Sequence, residues 1–379
     1  MITHRKSILT ALLLGVCLVA PTSLLYAAKP QPPPPPPCTN CWNQATGLNG
    51  GVAQDLKWRY VLKTRTPVET VFAAVSGGTS PGLYQSTNGG ESFSLVKALP
   101  GAHSVEIVQL SVSQNGRVWV AADQGLFYSD DLKKWTEATT GLPGSLMTFV
   151  GLTVTSQGLQ LYTTRATNNL LVSSGLYRSN DMGATWQQVL RFANVVAVDS
   201  SLGCNSNPNL VFVAQRYSPG SFSGGVLLSY DFGTTWQGGA DLDGLEAAND
   251  VLVDCGVSGN SDRVFATGDT MTIAPAWQNP QLGPTGWIPD FDLINYVDRA
   301  SVFPNRDPGN IATRGAGIFT RICTSEALCN PTWAQYNTTG LGSLDLTDVV
   351  LAQDPTTLNY RYVATTPLAN GVYYYEPAP

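Results

Sequence analysis

Histidine and clustered charge are scarce in this sequence. The 379 residues include only two histidines, His4 and His103, so a zinc site built on imidazole is not expected, and neither a metal nor a cofactor is predicted. Charged residues make up 13%, the net charge is −6, and the lysines and arginines are scattered. These features argue against a nucleic-acid surface and against binding to an anionic membrane.

Long apolar runs are missing after the N-terminus. Residues 1–28 combine a basic start, an apolar stretch over 8–20 and small residues at the end, which predicts a secretory signal peptide. An uncleaved anchor helix is the alternative, but Pro21 and the shortness of the run disfavour it. We therefore expect a secreted or periplasmic protein with no transmembrane segment after cleavage. Residues 29–37, nearly all proline, predict a stiff polyproline II linker.

Cysteine usage fits an exported chain. Six cysteines remain outside the signal segment, and an even number in an exported protein predicts three disulfides. The short spacings favour Cys38–Cys41 and Cys323–Cys329, which leaves Cys204–Cys255. A redox-active C-T-N-C motif is the alternative for the first pair, and it is disfavoured because no βαβ pattern surrounds it.

A polar turn between two short strands recurs along the chain. In residues 175–188, G-L-Y-R-S-N-D-M-G-A-T-W-Q-Q, Asp181 can accept hydrogen bonds from the backbone N–H groups that follow it, and Gly183 permits the bend. Trp186 then opens the next strand with a large apolar ring. The turn returns intact around Asp231, and in degraded form around Asn88 and Asp131.

These turns resemble the Asp-box, or BNR, repeat of bacterial sialidases, some endoglucanases, sortilin-type receptors and photosystem II assembly propellers. The resemblance implies a β-propeller in which Asn88, Asp131, Asp181 and Asp231 have a structural role. It does not imply a shared ligand, because the repeat is an architectural device in all of these families.

The spacing of the repeats predicts the number of blades. An aromatic residue that opens the last strand of each unit recurs every 42 to 51 residues, at Trp42, Phe93, Trp135, Trp186, Trp236, Trp287 and Trp333. Each interval can hold four strands, so we predict an all-β, seven-bladed β-propeller over residues 38–379 as a single domain. Because residues 41–48 match later fourth-strand segments, Trp42–Leu48 should complete the last blade and close the ring. Six blades are the alternative, with residues 250–293 as a distorted insert.

The resemblance places ligand sites on the face opposite the Asp-box turns, which we call the loop face. Arginines at the ends of second strands in three units are candidates for binding a carboxylate or an acidic partner: Arg165, Arg216 and Arg314. Asp123 and Asp269 lie at corresponding ends of two other units and are the candidate catalytic pair if the protein is a hydrolase. Further acidic residues, among them Asp55 and Asp348, are expected on the loops between units.

The predicted function is binding. The Arg-Ile-Pro motif of sialidases does not occur in the chain, and no tyrosine and glutamate pair can be assigned to their chemistry. We therefore expect an exported, non-enzymatic propeller that presents its loop face to a protein or glycan partner, as an assembly or scaffold factor in the cell envelope. The alternative is a sialidase-like or endoglucanase-like glycoside hydrolase acting on extracellular glycans.

Overall fold

Strands make up the regular structure of the protein. The computed structural model describes residues 38–376 apart from 64–65, 109–115, 166–173, 203, 205–208, 217–224, 239–244, 255–262, 271–275, 280–287, 292–296, 304–305, 314, 323–331, 354–357 and 359. All described residues belong to one unit of the chain, residues 37–379. Within these residues no helix occurs, and none could therefore span a membrane. The all-β prediction is confirmed.

The strands follow one another at short intervals. In chain order they are β1 (Cys41–Gln44), β2 (Val52–Lys63), β3 (Thr66–Ser76), β4 (Gly82–Ser86), β5 (Ser94–Ala98), β6 (Ala102–Val108), β7 (Arg117–Ala122), β8 (Gly125–Ser129), β9 (Thr136–Glu137), β10 (Met147–Thr155), β11 (Gly158–Arg165), β12 (Gly175–Ser179), β13 (Gln187–Arg191), β14 (Val195–Ser200), β15 (Val211–Gln215), β16 (Gly225–Ser229), β17 (Gln237–Gly238), β18 (Leu245–Asp254), β19 (Arg263–Thr270), β20 (Ala276–Asn279), β21 (Ile288–Phe291), β22 (Val297–Phe303), β23 (Arg306–Thr313), β24 (Gly317–Ile322), β25 (Thr332–Gln335), β26 (Asp348–Gln353), β27 (Tyr360–Thr365) and β28 (Val372–Glu376).

These strands form seven antiparallel sheets of four strands each. Sheets 1 to 6 each use four consecutive strands, starting with β2 to β5 as sheet 1 and ending with β22 to β25 as sheet 6. Sheet 7 consists of β26, β27 and β28 with the N-terminal β1 at its outer edge. The first strand of each sheet lies beside the first strand of the next, and β26 lies beside β2.

The second strand of sheet 2 is apolar on both faces because neighbouring sheets cover it on both sides. Val120 of β7 is buried in a cluster with Phe72 and Val105, which joins sheets 1 and 2. Trp119, on the opposite face of β7, packs with Met147 in a cluster that joins sheets 2 and 3. One apolar layer therefore separates each of these sheets from the next, as alternation along a strand requires.

The N-terminal strand pairs as expected but ends earlier. Trp42 lies opposite Tyr375 and Gln44 opposite Tyr373, so β1 completes sheet 7. The prediction had the strand continue to Leu48. The structure instead ends it at Gln44, and residues 46–48 turn toward sheet 1.

The polar turns are closed by the side chain that heads them. Asp231 Oδ1 accepts hydrogen bonds from the N–H of Thr234 (3.1 Å) and Thr235 (2.7 Å), and its Oδ2 accepts from the Thr235 hydroxyl (2.7 Å). Asp181 binds Thr185 in the same way. In the shorter turn, the N–H groups of Lys134 and Lys133 donate to Asp131 and lower the pKa of its carboxyl. Each turn is thus held by local bonds.

Asn88 performs the same bonding with an amide. Its Oδ1 accepts from the N–H of Ser92 (3.1 Å), and its Nδ2 donates to the Ser92 hydroxyl (2.9 Å). An amide offers one acceptor and one donor where a carboxylate offers two acceptors. The degraded sequence therefore still closes its turn.

A Thr-Gly-Leu segment after the fourth strand joins neighbouring sheets, and we call it the clasp. It occurs at 46–48, 140–142 and 339–341, where the threonine carbonyl accepts the backbone N–H of an aromatic residue in the next sheet. The acceptor–donor pairs are Thr46–Phe93 (2.9 Å), Thr140–Trp186 (3.0 Å) and Thr339–Trp42 (2.8 Å). The sequence comparison grouped these segments with the fourth strand and missed this contact.

The clasp glycines cannot carry a side chain. Gly47, Gly141 and Gly340 have φ of +92°, +85° and +89°, in the left-handed region. An ideal Cβ at each would lie 2.0 to 2.1 Å from the carbonyl oxygen of the same aromatic residue that the threonine binds. Close approach of two backbones therefore fixes the glycine in each clasp.

The structure describes some of the predicted disulfides but not the predicted terminal segments. Cys38 and Cys41 form a disulfide. Cys204 is also disulfide-bonded, but its predicted partner Cys255 lies outside the described residues. The predicted signal peptide, the polyproline linker, Cys323 and Cys329 lie outside them as well.

Candidate functional site

A cavity of about 240 Å³ lies between the first strands of the sheets, and we call it the hub cavity. Its lining includes Lys57, Trp58 and Glu106, and backbone and side-chain atoms from β10, β14 and β26. Pockets for drug-sized ligands enclose roughly 300 to 1,000 Å³, so this space is small for an oligosaccharide.

Two carboxylates at the hub cavity bind backbone of the neighbouring sheet. Asp55 of β2 accepts from the Val105 N–H (3.0 Å) and the Ser104 hydroxyl (2.8 Å) of β6. Asp348 of β26 accepts from the Leu56 N–H of β2 (2.8 Å). Both residues are buried. The prediction placed them on loops between units, whereas the structure places both in strands, where they join sheets.

Asp199 makes a third bridge of this kind, between sheets 4 and 5. Its Oδ2 accepts from the Val253 N–H (2.7 Å) and its Oδ1 from the Ser200 N–H (2.7 Å). Burial raises the pKa of Asp199 to about 7, opposed by the two N–H donors and assisted by the negative charge of Asp250.

Glu106 and Lys57 are opposite charges within the same cavity. Burial raises the pKa of Glu106, while Lys57 and the N–H of Ile107 lower it and Asp55 raises it further. The Ile107 N–H donates to Glu106 Oε1 at 2.8 Å. Asp55, Glu106, Asp199 and Asp348 are therefore all hydrogen-bonded to backbone N–H groups.

The candidate hydrolytic carboxylates lie in sheets that are not consecutive. Asp123 follows β7 of sheet 2, is half exposed, and its Oδ1 lies 2.8 Å from His103 Nε2. Asp269 lies in β19 of sheet 5, with its backbone opposite Ala247. The structure does not describe the Asp269 side chain. Glycoside hydrolysis needs two carboxyl groups within about 10 Å across one bond, so this pair stays a prediction.

The predicted arginines are held differently from one another. Arg165 ends β11 of sheet 3, and its Nε is buried without a hydrogen-bond partner. Arg216 follows β15 of sheet 4, and its Nε donates to Asn249 Oδ1 of sheet 5 at 2.7 Å. Arg314 lies outside the described residues. The described pair occupies the loop face of adjacent sheets, as residues at the ends of second strands should.

Sequence reasoning missed the residues around Arg165. At the loop end of sheet 3, Arg165 lies opposite Gly175, which in turn lies opposite Arg191 of β13. Phe192 follows Arg191 and is 44% exposed. The sequence shows Arg191 and Phe192 as neighbours, but the exposure of Phe192 is visible only in the fold.

Aromatic residues of β28 and β7 serve packing. Tyr373, Tyr374, Tyr375 and Trp119 are all buried. Tyr375 packs edge-on against Trp42 with ring centroids 5.4 Å apart, which fixes β1 to β28. In the part of the chain that the structure describes, no group of three or more His, Cys, Asp or Glu residues could hold a metal ion.

Comparison with known proteins supports the fold. No family model matches the chain. The protein named "Probable oligoxyloglucan-reducing end-specific xyloglucanase" of Neosartorya fischeri is 32% identical over 138 residues, which cover 34% of this chain and 16% of that protein. An ancestral GH74 enzyme shares 16% identity over 89% of this chain and 46% of its own, with a TM-score of 0.56.

A second solved structure, the GH74 xyloglucanase of Xanthomonas campestris, shares 14% identity over 89% of this chain and 53% of its own, with a TM-score of 0.55. Both solved structures are β-propeller proteins, and at this identity the similarity shows the fold alone. The seven small sheets fit a β-propeller. The chain spans about half the length of these structures.

Proposed function

We propose that this protein is an exported, seven-bladed β-propeller that binds a glycan on its loop face without hydrolysing it. The proposal has three features: closure of the seven sheets into a ring, a glycan as the ligand, and the lack of glycan hydrolysis. Export follows from the predicted signal peptide and agrees with the Cys38–Cys41 disulfide, because disulfides persist in oxidising compartments. A role as an assembly or scaffold factor in the cell envelope is part of the proposal.

The ring is supported by the way that sheet 7 meets sheet 1. Asp348 binds the Leu56 N–H, as Asp55 binds sheet 2. Buried Arg361 of β27 donates to Glu91 in the first polar turn at 2.8 Å. One apolar cluster holds Val350 and Tyr374 of sheet 7 together with residues of sheet 1. This junction uses the same kinds of contact as the others, which favours seven blades over six.

The choice of a glycan follows from the similarities. The curated relative and one solved structure are named as xyloglucanases; the chain resembles the first in sequence over 138 residues and the second in its propeller fold. A propeller presents many loops on one face, and a change of loops changes its ligand while the sheets persist. Binding of a glycan is therefore more strongly supported than binding of a protein.

The observation that carries the non-enzymatic proposal is that the carboxylates at the hub cavity bind backbone N–H groups of neighbouring sheets. Asp55 and Asp348 are buried and accept backbone N–H groups, which favours a role in joining sheets over a role in catalysis. A hydrolase needs an acid and a base or nucleophile that reach the substrate. Hydrolysis remains the second candidate, because the relatives are named as enzymes, and Asp123 with Asp269 are the residues to test for it.

The experiment measures binding and turnover on one sample. The secreted chain is titrated calorimetrically with xyloglucan oligosaccharides, and new reducing ends are counted over a day of incubation. We expect saturable binding with no new ends above the buffer rate. New ends that disappear in Asp123→Asn or Asp269→Asn would make the protein a hydrolase. No binding to these or to other plant and bacterial oligosaccharides would refute a glycan-binding function.

A further inference from the structure

Two arginines flank a glycine at the loop end of sheet 3. Arg165, Gly175 and Arg191 lie directly opposite one another on β11, β12 and β13. Directly opposed residues of an antiparallel sheet share a face, and adjacent strands are about 4.8 Å apart. The two arginines therefore begin roughly 10 Å apart on one face, and the glycine leaves the space between them without a side chain.

The side chain of Gln188 occupies part of that space. Gln188 lies opposite Tyr177, two residues along β12 from Gly175, and so shares the face. Its Nε2 is 2.3 Å from the position of an ideal Cβ on Gly175. A larger residue at 175 would displace this amide. We call Arg165, Gly175, Gln188 and Arg191 the loop-end notch.

The notch contains two buried donors that lack an acceptor. Gln188 Nε2 and Arg165 Nε are both buried and make no hydrogen bond to the residues that the structure describes. Buried polar groups are nearly always hydrogen-bonded, because a buried donor without an acceptor is costly. Two orphaned donors on one face of one sheet indicate an oxygen-rich group that the described residues do not supply.

An exposed aromatic residue follows the last residue of the notch in the chain. Phe192 follows Arg191 directly, is 44% exposed and has φ of +55°, in the left-handed region. Its N–H donates to the Ser174 carbonyl at 2.9 Å, which holds this conformation. A bulky residue at positive φ is strained, and such strain concentrates where a side chain serves a ligand.

We propose that the loop-end notch binds the carboxylate of an acidic sugar residue. Its two oxygens accept from Arg165 Nε and Gln188 Nε2, Arg191 supplies further positive charge, and the pyranose ring stacks on Phe192. An acidic peptide would offer the same carboxylate, but the exposed Phe192, next to Arg191 in the chain, favours a sugar. This inference rests on the proposed glycan-binding function and names the class of glycan.

The experiment compares ligands that differ by one carboxylate. Ligand-observed NMR titrations use D-glucuronate against D-glucose, and calorimetry uses xylo-oligosaccharides with and without one glucuronic acid branch. The test variants are Gln188→Glu, which puts a carboxylate next to Arg165, and Arg191→Gln on the surface. Gln157→Glu and Lys133→Gln are the matched controls, because both are exposed and lie at the opposite end of their sheets.

The wild type and both controls should bind the acidic ligand of each pair at least tenfold more tightly than the neutral one. Gln188→Glu and Arg191→Gln should lose this preference and keep the affinity for the neutral xylo-oligosaccharide. If the wild type binds both members of a pair equally, the proposal that the loop-end notch binds a carboxylate is wrong, whereas the proposed glycan binding is unaffected.

Two further results separate the inference from the proposed function. The wild type could bind glucuronate but no oligosaccharide, and Gln188→Glu could abolish that binding. This result would support carboxylate binding at the loop-end notch and reject the glycan-binding function. Binding of an oligoglutamate peptide in place of glucuronate would overturn the sugar assignment. Circular dichroism of each variant shows whether it is folded. If Gln188→Glu does not fold, the surface variant Arg191→Gln still decides the test.

Discussion

Replacement of a clasp glycine should destabilise the protein far more than replacement of a nearby glycine with the same backbone conformation. Gly141→Ala puts a Cβ 2.0 Å from the Trp186 carbonyl oxygen, at φ of +85°. Gly144→Ala, three residues later in the same loop, has φ of +95° but no atom within 4 Å of the new Cβ. The pair separates the strain of the backbone from the loss of contact between sheets 2 and 3.

The magnitude follows from the interactions that the new methyl group displaces. Left-handed conformation costs an alanine roughly 1 to 2 kcal/mol, and both variants bear this cost. Only Gly141→Ala also breaks the Trp186 N–H bond to Thr140 (3.0 Å), which contributes about 1 kcal/mol. It further shifts Trp186 from its edge-on contact with Trp119 (5.9 Å), at about 1 kcal/mol.

We therefore expect the free energy of unfolding of Gly141→Ala to lie about 2 kcal/mol below that of Gly144→Ala. Unfolding entropy near 2.1 cal/mol/K per residue makes this difference about 3 °C in Tm. Urea titration followed by tryptophan fluorescence measures it, with calorimetry as a second probe. Two variants that agree within about 0.5 kcal/mol would show that the clasp does not join the sheets.

Three more perturbations test other parts of the account. Asp231→Ala should lower stability by roughly 1 to 2 kcal/mol because four hydrogen bonds of its turn are lost. The exposed neighbour Tyr230→Ala should change it by less than about 0.5 kcal/mol in the same urea titration, and equal effects would argue against a turn-closing carboxylate. Asp199 has a pKa of about 7 when folded against 3.8 ordinarily, so the folded state holds a proton that the unfolded chain has lost, and stability should fall as pH rises from 4 to 7. Asp199→Asn, which keeps an acceptor oxygen for the Val253 N–H, should flatten that fall in Tm measured across the range, and an unchanged slope would assign the proton elsewhere. Trp42→Ala removes a buried ring whose Nε1 donates to the Asn337 carbonyl (2.6 Å) and should cost about 3 to 5 kcal/mol, whereas a chain as stable as the wild type would show that β1 does not fix the ring.

Local features of the fold could be predicted from the sequence. The residues that close the polar turns, such as Asp181 and Thr185, lie within four positions of each other, so their contact can be predicted from the sequence spacing. The marker aromatics gave the repeat, and four strands per repeat gave the all-β fold. The match between residues 41–48 and later segments gave the position of β1 before any pairing was known.

Contacts between sheets could not be predicted in the same way. Asp55 and Asp348 read as loop residues because carboxylates are rare inside strands, but each meets a backbone N–H from another sheet. The clasp glycine Gly340 lies almost 300 positions from its contact, Trp42. Such pairings depend on which sheets become neighbours, and a repeat period does not carry that information.

The candidate site was predictable only in part. Arg165 was found because it ends a second strand, whereas Gln188 and Arg191 belong to a fourth strand that sequence reasoning treated as packing. The bulge between Leu176 and Tyr177 brings Gln188 onto the face of Arg165, and a one-residue irregularity of this kind leaves no mark in the sequence.

A crystal structure of the protein with a glucuronic acid-branched xylo-oligosaccharide would test the central claim most directly. The account predicts an uncleaved oligosaccharide on the loop face, with its carboxylate at Arg165 and Gln188 and a sugar ring over Phe192. A shortened sugar bound at the hub cavity beside Glu106 would contradict it, because the protein would then act on glycans at its centre and not hold them at its face.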